Sequence, residues 1–210
     1  MKLLWQQIPS TIVTEIYINT EFDGVVLDTE HSPFNNETLY SCIQVAKLSG
    51  KKCFVRLAHL DKIVTKMCMD AGCDGIIFST VEDEVEAQAM VDYCRYPHQG
   101  GNRGQGLVRE NKWGEAALGD KQVLVIAQIE TKKAVDNLEK IKECNFDMYL
   151  IGPYLRYTDK IMNAIPKHQL GIHIPKDVAE HYPKNRDYGF VALGMDTTMI
   201  IQNCKELYSV

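Results

Sequence analysis

The feature that most constrains this chain is a repeated alternation of short apolar runs with amphipathic stretches. From the amino terminus the apolar runs are "LLWQQI", "GVVLD", "KCFVR", "GIIFS", "VLVIAQIE", "MYLIG", "LGIHI" and "FVALG". Between and after them lie segments with helical periodicity: one from Ser10, then Glu37 to Leu48, Asp61 to Asp70, Asp83 to Arg95 and Lys132 to Lys142. A short piece near Asp159, a stretch near Lys176 and a terminal helix from about Thr197 complete the series. Near-continuous apolar strands alternating with helices predict a parallel sheet covered by helices on its outer face, because such strands are buried on both sides. Eight such units is the count that closes into a (β/α)8 TIM barrel. An open doubly wound sheet is the competing arrangement, but no strand here is followed by the GxGxxG turn of a dinucleotide fold.

The chain of 210 residues is comfortable for one domain, expected to span 1–210. No linker, charge block or low-complexity run divides it. The one long connection, Tyr96 to Asp120, is rich in glycine and polar residues, and such loops are often functional. A formal charge of -5 lacks the basic stripe that a phosphate backbone requires, which argues against nucleic acid as a partner. The opening "MKLLWQQIPSTIVTEI" has no signal-peptide core, and no window approaches a membrane span, so a cytoplasmic protein with no membrane partner is expected. Seven cysteines without CxxC spacing read as reduced, and Cys42, Cys53, Cys68, Cys73, Cys94 and Cys204 fall in strands or helices as small core residues rather than as a structural zinc site.

In a barrel, the carboxyl ends of the strands converge on one mouth, so polar residues there carry functional weight. Strand two ends in Asp28, Thr29, Glu30 and His31, strand three in Arg56, strand five in Gln128 and Glu130, and strand eight near Asp196. Side chains alternate along a strand, so an inward Ile126 aims Gln128 and Glu130 at the barrel axis together. An unpaired inward carboxylate is costly, so Glu130 needs a cation: a metal ion, or a structural ion pair with Arg56. Arg56 is also suited to fork onto a substrate carboxylate, which lysine cannot reproduce. His31 follows Asp28 by three residues, a spacing that lets the carboxylate orient one imidazole nitrogen while the other acts as a base. The plainer reading of that His-Ser-Pro turn is a satisfied surface histidine.

Several ordered motifs, "FDGVVLDTEHSPFN", "DAGCDGIIFSTVEDEVEA", "RYPHQGGNRGQG", "QIETKKAVDNLEKI", "IGPY" and "GFVALGMDTTMI", resemble the HpcH/HpaI aldolase family over nearly the whole chain. The resemblance implies a class II, metal-dependent pyruvate aldolase of the dihydroxyheptenedioate or ketodeoxy sugar acid type on a (β/α)8 barrel. Such an enzyme cleaves a 4-hydroxy-2-oxo acid to pyruvate and an aldehyde, or runs the reverse addition. It implies a homo-oligomer, a hexamer by analogy, with the last helix exchanged between neighbours. Carried over by position, it makes His31 the general base with Asp28 orienting it, Arg56 the holder of the pyruvate carboxylate, and Glu130 a ligand of Mg²⁺ or Mn²⁺. Gln128, Tyr154 and Leu155 fall at substrate-binding positions.

One departure stands out. The family run after strand six is G-P-x-D-L-S, whose Asp is a second metal carboxylate, and this chain has Gly152-Pro153-Tyr154-Leu155-Arg156-Tyr157. Leu155 cannot bind a metal, and the region around the sixth helix is shortened, so weaker metal affinity is expected, with Asp159 a possible substitute ligand. In the "RYPHQGGNRGQG" loop, Arg103 and the glycines suit a phosphate or a neighbouring subunit, or form a plain flexible turn. Two alternatives accompany the aldolase reading: a catalytically impaired homologue that binds a small oxo acid without turnover, and another carbon–carbon or carbon–oxygen lyase using the same enolate.

Overall fold

The computed structural model describes residues 1–117, 122–152 and 156–209. Eight strands, β1 (Lys2–Gln6), β2 (Gly24–Asp28), β3 (Lys52–Leu57), β4 (Gly75–Phe78), β5 (Leu124–Ile129), β6 (Met148–Ile151), β7 (Leu170–Ile174) and β8 (Phe190–Met195), pair in parallel and in sequence order. The sheet closes where β8 meets β1, with Lys2 opposite Val191 and Leu4 opposite Leu193. The closed barrel expected from the alternation is what forms, and the open sheet is not.

Outside the barrel run α1 (Thr11–Ile18), α2 (Asn36–Leu48), α3 (Lys62–Asp70), α4 (Glu84–Cys94), α5 (Lys132–Asp136), α6 (Leu138–Glu143), α7 (Thr158–Ala164), α8 (Val178–Asn185) and α9 (Asp196–Tyr208). Local chemistry sets several starts. Asn35 accepts from the Thr38 N–H, Asp61 from Ile63 and Val64, Asp83 from Glu86, and Thr131 from Ala134, each satisfying donors that a helix start leaves open. The helix read as continuous from Lys132 to Lys142 is interrupted at Asn137, whose backbone leaves the helical region (φ -98°, ψ 8°) and whose side-chain amide donates to the Glu82 carbonyl.

Two apolar layers hold the molecule. Leu3, Trp5, Val26, Phe54, Ile77, Ile126, Met148, Leu150, Phe190 and Ala192 fill the barrel. Alternate residues, including Leu4, Val25, Leu27, Cys53, Val55, Ile76, Phe78, Val125, Ala127 and Ile129, pack outward beneath the helices. The floor of the barrel is built on two aromatic rings and two glycines. Phe54 and Phe190 lie nearly parallel with centroids 6.4 Å apart. A methyl group on Gly75 would come within 2.6 Å of the Phe54 ring, and one on Gly171 within 2.1 Å of the Phe190 ring. At the other end of β8 the register with β1 slips between Leu193 and Met195, and Gly194, at φ 67°, absorbs the irregularity. Met195 thereby joins the inner layer although strict alternation would turn it outward.

The long connection after α4 is pinned by its arginines. Arg103 is 2% exposed and donates to Asp70 at 3.0 Å and Glu110 at 2.6 Å, with its guanidinium over the Tyr96 ring. It is a structural tie between this loop and α3, which corrects the reading of Arg103 as a phosphate contact or part of a flexible turn. All seven cysteines are unpaired thiols. Six are buried, including Cys144, but Cys204 is exposed on α9, so its assignment to the core does not hold. No helix among the described residues is long and apolar enough to cross a membrane.

Candidate active site

A cavity of about 240 Å³ opens at the carboxyl ends of the strands. Trp5, Gln7, His31, Arg56, Gln128, Glu130, Leu150, His173, Pro175 and Met195 line it. Arg56, Gln128, Glu130 and His31, read from the sequence as one site, therefore meet at a single mouth. Tyr154 and Leu155 lie outside the described residues. Asp159 is exposed in the first turn of α7 and is not part of the cavity wall.

The β2–β3 register places Asp28 directly opposite Arg56, and both side chains point inward. Arg56 donates from Nε to Asp28 Oδ1 at 2.9 Å and from one terminal nitrogen to Oδ2 at 2.6 Å. Its other terminal nitrogen lies 2.8 Å from Glu30 Oε2, and the guanidinium plane sits 4.8 Å from the Trp5 ring. Trp5 and Gln7 add hydrogen bonds to Asp28 Oδ2 at 3.2 and 3.1 Å. Burial alone would push the Asp28 carboxyl up; hydrogen bonds and charge from Arg56, with the bonds from Gln7 and Trp5, outweigh it and hold Asp28 below the usual carboxylate range. Arg56 has five N–H donors, of which two are taken by Asp28; the approach of Glu30 Oε2 is an ion pair without a hydrogen bond. Both terminal nitrogens keep N–H groups that Asp28 does not take, and these are what an incoming carboxylate needs.

His31 differs from its expected setting. Asp28 Oδ1 accepts from the backbone N–H groups of Glu30 and His31, at 3.1 and 3.4 Å, and thus shapes the turn instead of gripping the imidazole. The carboxylate beside the ring is Glu30, 3.7 Å from His31 Nε2. The ring is largely exposed at the rim of the cavity.

Glu130 is held from two sides. Thr80 Oγ1 donates to Oε1, and Gln128 Nε2 donates to Oε2 at 2.5 Å. The ion pair with Arg56 that the sequence left open is not formed, because Arg56 is turned toward Asp28 and Glu30. Gln128 is 1% exposed, and its Oε1 is buried without a hydrogen-bond partner among the described residues. Behind Glu130 lies Gly152, where a Cβ would sit 2.4 Å from the Glu130 Cβ.

Among the described residues no three His, Cys, Asp or Glu side chains converge as a ready-made metal cage. The donor set at β5 nonetheless fits a hard divalent cation. It offers one carboxylate, plus an orphaned amide oxygen two residues away on the same face, and Mg²⁺ characteristically takes one or two protein carboxylates, with substrate oxygens and water completing the shell.

Three polar or aromatic wall residues escaped the sequence reading. Trp5 and Gln7 lie on β1 and just beyond it, and His173 lies on β7. The Trp5 and His173 rings stack at 4.2 Å and 12°, and His173 Nε2 lies 3.1 Å from the Gly194 carbonyl at the β8 bulge. Desolvation between these groups pushes the His173 imidazole down to about 4, so it is neutral at physiological pH. Inward alternation from Leu3 through Trp5 to Gln7, and from Gly171 to His173, was the signal that pointed to them. Asp196 goes the other way: its carboxylate accepts from the N–H groups of Gln7 (3.0 Å), Ile8 (2.8 Å) and Thr197 (2.8 Å), so it ties β1 to the start of α9 and is not on the cavity wall.

A closed parallel barrel with a carboxylate, an amide and a guanidinium gathered at its carboxyl-terminal mouth defines a barrel enzyme. The sequence profile of the HpcH/HpaI aldolase/citrate lyase family matches residues 2–154, and the chain belongs to that family. Among its relatives, the 4-hydroxy-2-oxovalerate aldolase of Rhodococcus jostii (strain RHA1) is 29% identical, over 97% of this chain and 88% of the relative. The pyruvate aldolase of Rhizobium etli is 32% identical over 71% of this chain and 61% of the relative. A solved structure of an HpcH/HpaI aldolase/citrate lyase family protein from Burkholderia cenocepacia J2315 superposes with a TM-score of 0.86 at 21% identity, covering 100% of this chain and 93% of that one. That likeness bears on the fold alone.

Proposed function

We propose that the protein, an aldolase of the lyase class, uses this cavity to cleave a 4-hydroxy-2-oxo acid to pyruvate and an aldehyde, or to join them. The observation that carries the reading is the meeting of Glu130, Gln128 and a half-engaged Arg56 around one cavity in a chain whose relatives are named for this reaction. The same relatives give no ground for preferring a binder without turnover.

The roles follow from the geometry. Arg56 presents N–H groups of its two terminal nitrogens to the oxo acid carboxylate, and Asp28 and Glu30 fix the guanidinium so that little orientation is lost on binding. Trp5 covers one face of that guanidinium and keeps water from it. His31, at the rim, takes the proton from the C4 hydroxyl as the C3–C4 bond breaks, and Glu30 beside it steadies the charged imidazole. The electron pair of that bond goes to the pyruvate enolate, which is then protonated at C3. Glu130 and Gln128 Oε1 would hold a divalent cation, Mg²⁺ or Mn²⁺; bound there, it supplies Lewis-acid stabilisation of enolate charge. Leu155 in place of a second carboxylate lowers the negative charge available to that ion, so millimolar rather than trace metal is the expected requirement.

We also propose a cytoplasmic homo-oligomer. Unpaired thiols suit a reducing compartment. On α9 every described residue from Ile200 to Ser209 is exposed, Ile200, Ile201 and Leu207 among them. A groove of about 580 Å³ on the barrel's outer wall, lined by Leu4, Phe22, Val178, Leu193 and Met199, is left open beside it. An apolar helix without a seat, next to a seat without a helix, is the pattern of a segment that packs on a second copy.

The reaction is tested by incubating 4-hydroxy-2-oxo acids with the protein and Mn²⁺ and following pyruvate. Release that stops with chelator and falls in His31→Ala and Arg56→Ala is expected. Absence of pyruvate from a panel of such acids, at any metal concentration, would overturn the proposal.

A further inference from the structure

Thr80 is the first residue of the connection that leaves the β4 turn, and it has φ 53°. A β-branched side chain at positive φ is a genuine outlier, because its Cβ substituents crowd the backbone that glycine would leave clear. The conformation is enforced from both sides. Ser79 donates through N and Oγ to the Leu57 carbonyl, each at 3.0 Å, and Val81, fully buried, donates through N to the Gln128 carbonyl at 3.4 Å. With both neighbours tied to adjacent strands, Thr80 has no freedom to relax, yet it is itself exposed, so burial does not explain a branched side chain. What it does make is the hydrogen bond from Oγ1 to Glu130 Oε1.

We infer that Thr80 is a positioning residue, kept in a strained backbone conformation so that its hydroxyl, opposite the Gln128 amide, fixes the Glu130 carboxylate in the one orientation that faces a bound divalent cation. The inference rests on the assignment of Glu130 as a metal ligand and extends it to a residue on a different strand connection. The chemistry is that of an outer partner to a metal-binding carboxylate: with Oε1 and Oε2 each accepting from a separate side chain, the carboxylate plane cannot rotate, and its remaining lone pairs are aimed in advance. Glycine would suit the backbone better, and alanine would fit as well as threonine; neither supplies the hydroxyl.

Thr80→Gly, Thr80→Ala and Thr80→Ser are compared with the full chain in three measurements: Mn²⁺ affinity from the paramagnetic resonance of free Mn²⁺, melting temperature, and crystallographic order of Glu130. Thr80→Gly is expected to melt at or above the parent temperature while binding Mn²⁺ about tenfold more weakly, and Thr80→Ser to retain parental affinity within about twofold. Glu130 should occupy one orientation in the parent and Thr80→Ser, and two or more in Thr80→Gly and Thr80→Ala. Parental Mn²⁺ affinity in Thr80→Gly, or a melting temperature that drops in step with affinity across the series, would overturn the positioning role. If the parent itself binds no Mn²⁺, the metal-ligand assignment of Glu130 fails and this inference with it, whereas an unmoved Glu130 in Thr80→Gly sinks the role of Thr80 alone.

Discussion

Asp28 faces Arg56 across the β2–β3 register in a two-point contact, Oδ1 to Nε at 2.9 Å and Oδ2 to a terminal nitrogen at 2.6 Å, inside a barrel where Asp28 has no solvent exposure. Removing one partner from such a pair leaves the other charge buried. Asp28→Asn should therefore cost about 3 kcal/mol of stability at neutral pH, read by urea denaturation. The pH dependence has a definite sign. Asp28 titrates below its ordinary 3.8 in the folded protein, so its contribution is complete above that value and is lost as pH falls through the folded pKa. The acid limb of the parent's stability profile should flatten in Asp28→Asn.

His173 acts over a higher window. Its folded pKa of about 4 lies below the ordinary 6.5, so the unfolded chain binds a proton that the folded one refuses as pH falls between those values. Stability should decline over that interval by up to about 1.4 kcal/mol per pH unit and then level off. His173→Phe preserves a ring to stack on Trp5 and should abolish that slope, measured by denaturation between pH 4 and 7.

Arg56→Lys keeps the charge but not the planar fork. The KM for the oxo acid should rise about a hundredfold, with kcat reduced less, if the guanidinium mainly holds the substrate carboxylate. Steady-state kinetics on pyruvate release separates the two constants.

Gly152 and Gly171 are both inward glycines, and they should fail differently. Gly152→Ala places a methyl against the Cβ and backbone of Glu130 and is expected to lower Mn²⁺ affinity and kcat about tenfold along with the melting temperature. Gly171→Ala drives a methyl into Phe190 and should destabilise the barrel by about 1–3 kcal/mol, visible in thermal melts before any effect on chemistry.

Deleting the chain beyond Met199 removes described residues that are all exposed and keeps the Asp196 contacts to Gln7 and Ile8. The truncated protein should keep its circular dichroism and lose its oligomeric state in size-exclusion chromatography with light scattering.

Most of the barrel was legible because its strands are buried on both faces, and eight continuous apolar runs leave few alternatives. The mouth was legible in part. Gln128 and Glu130 share a face by simple alternation, and the inner layer containing Ile126 agrees. What sequence spacing could not resolve was competition for partners: three residues separate Asp28 from His31, but the cross-strand register brings Arg56 nearer, and the guanidinium takes the carboxylate. Asp196 looked like a mouth residue because it follows a strand, whereas the open N–H groups of Gln7 and Ile8 claim it. His173 was hidden inside "LGIHI", since its role depends on a bulge at Gly194 that alternation alone does not announce.

The aromatic floor gives the reaction an order of events. Phe54 and Phe190, seated against Gly75 and Gly171, fill the barrel beneath the cavity, so ligands are expected to enter and leave by its mouth at the carboxyl ends of the strands. On the proposed reading, in which Arg56 holds the pyruvate carboxylate, pyruvate is expected to leave after the aldehyde. Product-inhibition kinetics should then find pyruvate competitive with the oxo acid and the aldehyde noncompetitive.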